Sequence, residues 1–257
     1  MIIPGIYINL FFLVMVRLAG FFTTAPVFNS KLISTRVKTA LIFWLTLIIM
    51  FVIPIPKNIP EFSSYFIIYL IHGFLFGALI GAIANFIFSG VQFAGSLMDM
   101  QMGLSVAQTF DPMVGAQVTI MERLMQFLCL LIFINLRGHH ILLGGIYESF
   151  RMFPVTSMIN LENSYISIIE LCKLLFYIGV QISAPIVLVI FLLDFSFGII
   201  SRVAPQVNVF QLGFQVKPVL GGLIFILLLP LMIDRITAYL LPINDHILKL
   251  FALLQSG

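Results

Sequence analysis

Charged residues are scarce in this chain of 257 residues. Asp, Glu, Lys and Arg together make up 9% of it, whereas 61% is hydrophobic. Globular proteins usually contain about 45–50% apolar residues. Because the polar side chains are too few to cover a soluble core of this size, lipid or protein must cover the apolar surface. The composition therefore predicts an integral membrane protein with membrane lipid among its partners.

Cysteine is also scarce, and patterns typical of catalysis are missing. Cys129 and Cys172 lie in apolar runs and are expected to be small buried hydrophobes. The adjacent His139 and His140 diverge on a helix, and the sequence has no zinc-ligand spacing, Gly-x-Ser-x-Gly turn or phosphate-binding loop. With 13 basic and 10 acidic residues, the chain lacks the charge of a nucleic-acid interface. We therefore expect no enzyme activity, cofactor, metal or nucleic acid.

Six apolar runs are long enough to be compared with a bilayer, whose hydrocarbon core requires about 20 apolar residues in a helix. They are rich in Leu, Ile, Phe and Gly with little alternation, which is typical of helices and not of barrel strands. We predict a single all-α domain over 1–257. The runs are 6–25, 39–56, 64–98, 117–136, 167–193 and 218–240, and the charges mark 99–116, 137–164 and 194–217 as loops.

The third run is too long for one simple crossing. From residue 62 to residue 98 it contains no Asp, Glu, Lys or Arg, and as one helix it would extend about 55 Å. Two alternatives stay open: a tight hairpin, or a long helix whose far end other proteins cover. Gly73, Gly77 and Gly81 recur every four residues and predict a face on which a second helix packs closely. Ordinary glycine enrichment of membrane helices is the alternative.

Polar or helix-breaking residues interrupt other runs. Arg17 lies near the centre of the first run, where it must snorkel, pair or contact protein. Pro185 interrupts the fifth run. Such features are tolerated where protein or a wet cavity covers them. The basic loop with Lys31, Arg36 and Lys38 predicts a cytoplasmic position for itself and an external N-terminus.

A methionine-rich segment, MDMQMGLSVAQTFDP, follows the third run and carries Asp99 and Asp111. The chain's methionine cluster is Met98, Met100, Met102, Met113, Met121 and Met125. Methionine repacks around changing neighbours, and Asp111-Pro112 breaks a helix. Two interpretations stay open: a deformable lining that seals an opening, with Phe110 as a rigid anchor, or plain core filling. The acids are either proton relays or loop-end charges that are solvated or paired with Arg123.

Four blocks of sequence follow one another along nearly the whole chain. They are NSKLISTRVKTALIFWLTLIIMFVIP, FAGSLMDMQMGLSVAQTFDP, FINLRGHHILLGGIYESFRMFPV and DFSFGIISRVAPQVNVFQLGFQVKP. In this order they resemble the FliR family, export-gate proteins of the flagellar type III secretion system whose virulence counterparts are called SctT. The Gln101-Met102-Gly103 form of the second block favours the flagellar branch.

The resemblance implies long, partly broken helical hairpins that join FliP and FliQ, as a single copy, in a helical export-gate ring. FlhB-like and FlhA-like export proteins and exported unfolded polypeptides are further implied partners. The implied location is the flagellar basal body in the bacterial inner membrane. Many apparent spans would lie above the bilayer plane, shielded by partner subunits. The proton-motive force and a cytoplasmic ATPase complex would supply the energy.

The resemblance also implies a loop that plugs the channel. Its approach on this sequence is Met100, Gln101, Met102 and Gly103. The plug loop, about 104–117, comprises Leu104, Ser105, Val106, Ala107, Phe110, Asp111, Pro112 and Gly115. A soft apolar constriction excludes hydrated ions, because removing their water is costly, and still deforms around a polypeptide.

A second function remains as an alternative: a stand-alone proton-coupled secondary transporter, with Asp99 or Asp111 in proton coupling. Such transporters commonly contain two repeated halves. We find no such repeat in this sequence, which favours the export gate.

Overall fold

The computed structural model describes residues 5–29, 33–53, 64–105, 119–156 and 161–255. Within these ranges the regular secondary structure is helical, and no strand occurs. The helices are α1 (Gly5–Thr24), α2 (Thr35–Val52), α3 (Ser64–Met102), α4 (Ile120–Asn135), α5 (Gly138–Met152), α6 (Leu161–Val203), α7 (Val209–Leu240) and α8 (Ile243–Gln255).

Many of these helices are suited to a membrane. Among the described residues, five are long and apolar enough to cross one, or up to six if α4 and α5 together form one span. Large apolar side chains also point outward: on α2, Trp44 is 63% exposed and Phe51 is 87% exposed. Contact of such surfaces with lipid or with other protein chains is favourable, whereas contact with water is not. The chain is an all-α integral membrane protein, so this prediction is confirmed.

The third apolar run forms one continuous helix. Helix α3 has 39 residues and extends about 58 Å at 1.5 Å per residue. Of the two alternatives that the sequence leaves open, the long helix is therefore the observed one. Because it is almost twice as long as the hydrocarbon core is thick, acyl chains cannot cover all of it.

Two segments that the charges mark as loops are largely helical, so that part of the sequence interpretation is wrong. Helix α5 occupies much of 137–164, and only 204–208 separates α6 from α7 within 194–217. The reason is that some charges in these segments pair within one helix or between two helices. Glu148 pairs with Arg151 three residues later at 3.1 Å, and Asp194 pairs with Lys217 at 2.5 Å.

The packing divides the chain into two compact units. Unit 1 contains Met1–Phe86, Leu136–Leu171 and Leu241–Gly257, and unit 2 contains Ile87–Asn135 and Cys172–Leu240. Helices α3 and α6 contribute residues to both units. Each unit buries its own set of apolar side chains.

In unit 2, two polar side-chain contacts join α7 to α6, and α4 packs against α7. The Asp194–Lys217 pair lies near the turn between α6 and α7. Further from the turn, the Tyr239 hydroxyl donates a hydrogen bond to the side-chain oxygen of Gln181. Helix α6 continues through Pro185 to Val203. Two polar contacts therefore fix the register of these two largely apolar helices.

Unit 1 is organised by a buried guanidinium group. Arg17 of α1 is 1% exposed. Its Nη1 donates to the main-chain oxygens of Phe153 at 2.9 Å and Ser149 at 3.3 Å, and Nη2 donates to that of Pro154 at 3.3 Å. The last carbonyls of a helix lack intrahelical partners and carry its negative dipole end. Arg17 therefore caps the C-terminal end of α5. Of the alternatives that the sequence leaves open for Arg17, contact with protein is the observed one.

Aromatic rings surround the guanidinium group of Arg17. Its Cζ lies 4.6 Å from the ring centroid of Phe150 and 4.9 Å from that of Phe76. Phe76 also stacks at 4.7 Å on Phe153, which contacts Phe251 of α8 at 5.7 Å. Cation–π contact partly replaces the hydration that the buried cation has lost. The rings thus connect α3, α5 and α8 around Arg17.

The glycine face of α3 lies against α1 in unit 1. A Cβ atom on Gly77 would overlap the carbonyl group of Arg17, and one on Gly81 would overlap the hydroxyl group of Thr24. A Cβ atom on Gly73 would have its nearest neighbour 3.7 Å away, an ordinary van der Waals distance. Close backbone approach therefore depends on Gly77 and Gly81, while Gly73 leaves room for a methyl group.

We expect Gly77→Ala to lower the free energy of unfolding by about 1–3 kcal/mol, because its Cβ atom must push the backbone of α1 away. Gly73→Ala is the matched control one turn earlier, and it should be neutral or slightly stabilising because alanine favours a helix. Thermal unfolding of the purified variants in detergent measures both effects. Equal midpoints for the two variants would contradict the assigned helix contact.

Candidate functional site at the end of helix α3

Helix α3 ends in a left-handed glycine cap. Gly103 has φ of 77°, and its amide donates to the carbonyl oxygen of Met100 at 3.3 Å. The amide of Leu104 donates to the carbonyl oxygen of Asp99 at 3.0 Å. Glycine adopts positive φ without steric cost, which makes it the usual residue at this position. The chain therefore leaves the helix axis immediately after Met102.

The cap separates the residues predicted to lead up to the plug from the residues predicted to form it. Met100, Gln101 and Met102 form the last turn of α3, and Gly103 is the cap. Leu104 and Ser105 follow it within the described residues. The remaining predicted plug residues lie outside the described residues: Val106, Ala107, Phe110, Asp111, Pro112 and Gly115.

Asp99 is fully buried and accepts hydrogen bonds from the first turn of α4. Its Oδ2 accepts from the amide of Met121 at 2.9 Å and from that of Glu122 at 3.2 Å. A carboxylate is favourable at a helix N-terminus because it satisfies free N–H groups and complements the helix dipole. Asp99 is therefore not a solvated loop-end charge, and that interpretation of the sequence is wrong for this residue.

Gly95, one turn before Asp99 on α3, allows α4 to approach. A Cβ atom there would lie 2.5 Å from the Cα of Glu122 and 2.7 Å from its backbone nitrogen. The start of α4 thus rests directly on the backbone of α3. Sequence reasoning missed this contact, although the four-residue spacing of Gly95 and Asp99 places them on one helical face.

The methionine cluster is mostly core. The buried members are Met98, Met102, Met121 and Met125. Met100 is 60% exposed, and Met113 lies outside the described residues. Met102 packs so closely on α7 that a Cβ atom on Gly221 would lie 2.7 Å from its Cε. Core filling therefore explains four members of the cluster, and Met100 is the exposed one among the five that the structure describes.

A cavity of about 540 Å³ adjoins the cap within unit 2. Met100, Met102 and Gly103 line one side of it, and Phe197, Phe210 and Phe214 are among the residues that line the other. The Asp194 and Lys217 side chains also border it. The structure thus brings the second and fourth sequence blocks together. Sequence reasoning marked the fourth block as a loop and did not place it beside the second, because only tertiary packing joins segments so far apart.

The side chains at this site are suited to packing. Its walls are thioether, aromatic and glycine surfaces, with one ion pair. Among the described residues, no group of three or more His, Cys, Asp or Glu side chains is placed to hold a metal ion. Surfaces of this kind contact apolar side chains and adapt to them.

Comparison with known proteins gives consistent matches over most of the chain. Residues 8–242 match the family described as Bacterial export proteins, family 1. The chain is 30% identical over 243 residues to the flagellar biosynthetic protein FliR of Buchnera aphidicola subsp. Baizongia pistaciae, covering 95% of this chain and 94% of that protein. It is 32% identical over 210 residues to FliR of Bacillus subtilis strain 168, covering 80% and 81%. FliR of Escherichia coli strain K12 is 27% identical over 225 residues, covering 88% and 86%.

The fold and these matches define a membrane-embedded component of a bacterial flagellar export apparatus. Its helices and its sequence blocks point to the same class of protein. The chain belongs to the FliR family. The resemblance seen in the four sequence blocks is thereby confirmed.

We expect Gly103→Ala to lower the free energy of unfolding by about 1 kcal/mol, because a Cβ atom disfavours positive φ. Gly103→Asn should cost less, since asparagine tolerates this conformation better than alanine. Gly198→Ala, in α6 beside the same cavity, is the control because no atom lies within 4 Å of the added Cβ. Thermal unfolding in detergent compares the three. A loss for Gly198→Ala as large as for Gly103→Ala would contradict the cap.

Proposed function

We propose that this chain is a core subunit of the flagellar type III export gate in the bacterial inner membrane, at the flagellar basal body. With FliP and FliQ it forms the channel through which unfolded flagellar proteins leave the cytoplasm, and it contacts FlhB-like and FlhA-like export proteins. The observation that carries this proposal is the match to FliR proteins over nearly their whole length. A single copy takes its place in the helical ring of the gate.

The lengths and surfaces of the helices support partner subunits around this chain. Helix α6 has 43 residues and extends about 65 Å, twice the hydrocarbon thickness. Its last turns expose an apolar stripe at intervals of four residues: Phe191, Phe195, Ile199 and Val203. Acyl chains reach only part of so long a helix. Other apolar protein helices are the coverings that suit the remainder.

The plug belongs to the same proposal. We assign the channel plug to about 104–117, with Phe110, Asp111 and Pro112 at its centre. The supporting observation is the Gly103 cap, which turns the chain away from α3 at the start of this segment. A plug of this kind works passively: its apolar side chains exclude hydrated ions and move aside when a polypeptide passes.

The alternative of a proton-coupled transporter is weaker than the gate. Its candidate proton carrier Asp99 already accepts two backbone hydrogen bonds in a buried site, which is the arrangement of a helix cap. The family match supports export and gives no support to a carrier of small solutes.

Native mass spectrometry of this chain co-expressed with FliP and FliQ tests the partners. We expect one copy of the chain in a larger complex that survives in detergent, because its apolar helix surfaces need protein coverage. A free monomer or homodimer beside demonstrably folded partners would overturn the gate assignment.

Removal of residues 106–116 tests the plug. We expect the gate to assemble normally and the cells to leak small ions, because the apolar constriction is lost. A Gly-Ser linker of equal length in place of 106–116 is the matched control for chain connectivity, and it should leak as well. The measurement is the conductance of the resting gate in membranes. Wild-type conductance in a fully assembled variant would contradict the plug assignment.

A further inference from the structure

Arg235 of α7 has no ion-pair partner in the described part of the chain, where the two ion pairs join other residues. Its sequence neighbour Asp234 lies about 100° away around the helix and faces a different direction. An arginine in a membrane helix pairs with another charge or with backbone groups, because an isolated charge there is costly. Since Arg235 is exposed, an anion from outside the chain can reach it.

The length of the uncharged part of α7 puts Arg235 near a surface of the bilayer. Residues 218–233 contain no Asp, Glu, Lys or Arg and extend about 24 Å. This length is close to the hydrocarbon thickness of about 30 Å, so Lys217 and Arg235 lie near opposite surfaces. One turn after Arg235, the ring of Tyr239 meets that of Tyr177 at 6.4 Å. Tyrosine is enriched at membrane interfaces, which supports the same depth for Arg235.

A cavity of about 100 Å³ lies between α6 and α7 in unit 2, with Arg235 and Gln181 as its polar lining residues. The side-chain oxygen of Gln181 accepts a hydrogen bond from Tyr239, so its amide nitrogen keeps two N–H donors for another acceptor. The other lining residues are Ile182, Pro185, Leu228, Leu231 and Met232. The cavity therefore combines a cation and amide donors with an apolar wall that continues into the uncharged part of α7.

We propose that this cavity binds the phosphate group of a phospholipid. The guanidinium group of Arg235 binds two phosphate oxygens, and the amide nitrogen of Gln181 donates to one of them. The first methylene groups of an acyl chain lie against Leu228 and Leu231. The chain continues along the outer surface of α7, where Leu227 is 74% exposed. This inference goes beyond the proposed function and needs only the membrane-embedded fold.

The lining of the cavity favours a lipid over a free phosphate ion. A basic pocket between membrane helices is suited to lipid headgroups, because it offers a positive charge at the depth of their phosphates. Leu228, Leu231 and Met232 gain from contact with methylene groups, whereas an ion would leave this apolar wall in contact with water. The small volume admits a phosphate group with the start of one chain and leaves no room for a large headgroup.

Native mass spectrometry of the purified full-length chain in detergent tests the site. The probes are phosphatidylglycerol and a diacylglycerol with the same acyl chains, which lacks the phosphate group. We expect phosphatidylglycerol to bind at least about tenfold more tightly, because only the phosphate makes hydrogen bonds to a charged group. Glycerol phosphate, which lacks the acyl chains, should not displace it at equal concentration.

Four variants separate the two polar contacts from the general effect of charge. Arg235→Gln should weaken the binding of phosphatidylglycerol at least about tenfold, and Arg235→Lys less, because lysine keeps the charge and loses the two-pronged contact. Gln181→Glu keeps an acceptor for Tyr239 and replaces the amide donors by a carboxylate, so we expect binding about fivefold weaker or more. Arg202→Gln is the matched control: it removes an exposed cation of α6 outside the cavity and should change binding by less than about twofold.

Each other outcome overturns a distinct part of the proposal. Equal binding of phosphatidylglycerol and diacylglycerol would show that the phosphate is not recognised. Equal losses in Arg235→Gln and Arg202→Gln would assign the effect to net charge and remove the site. Displacement by glycerol phosphate would replace the lipid by a free phosphate ester. Thermal unfolding in detergent checks that each variant is folded. If Arg235→Gln is not, wild-type affinity in folded Gln181→Glu would contradict the proposal.

Discussion

Backbone groups at helix ends need partners wherever water is excluded, and in this chain two buried charges of opposite sign supply them. Arg17 donates to three carbonyl oxygens at the C-terminal end of α5 in unit 1. Asp99 accepts from two amides at the N-terminal end of α4 in unit 2. Each charge matches the sign that the helix dipole favours at that end. The packing of each unit depends on such a contact, because apolar side chains cannot replace it.

The need for partners at buried helix ends explains why a few charged residues are enough to position these helices. In a membrane-embedded protein, a buried charge has to pair with another charge or with backbone groups. In this chain Arg17 and Asp99 both pair with backbone groups. Glycine residues allow close backbone contacts near both side chains. Gly95 lets the backbone of α4 approach α3 one turn before Asp99, and Gly77 lets α3 approach the backbone of α1 at Arg17.

Sequence patterns predicted the features that follow from composition and local spacing. The apolar runs identified the membrane class and the helical fold, and the four sequence blocks identified the family. The same patterns misplaced α5 in a loop, because its charges pair along the helix surface, as Glu148 does with Arg151. The cap role of Asp99 was missed because its partners lie more than twenty positions away in the chain.

The sequence by itself determined that this protein is an all-α membrane protein of the FliR family, because composition and ordered motifs are local properties of the chain. Only the tertiary structure decided what Arg17 and Asp99 do, that α3 is one helix, and that the second and fourth blocks share a cavity. The physical reason is that hydrogen bonds and close contacts join residues by distance in space. A buried charge in an apolar run shows that a partner is needed, and only the fold shows which helix end provides it.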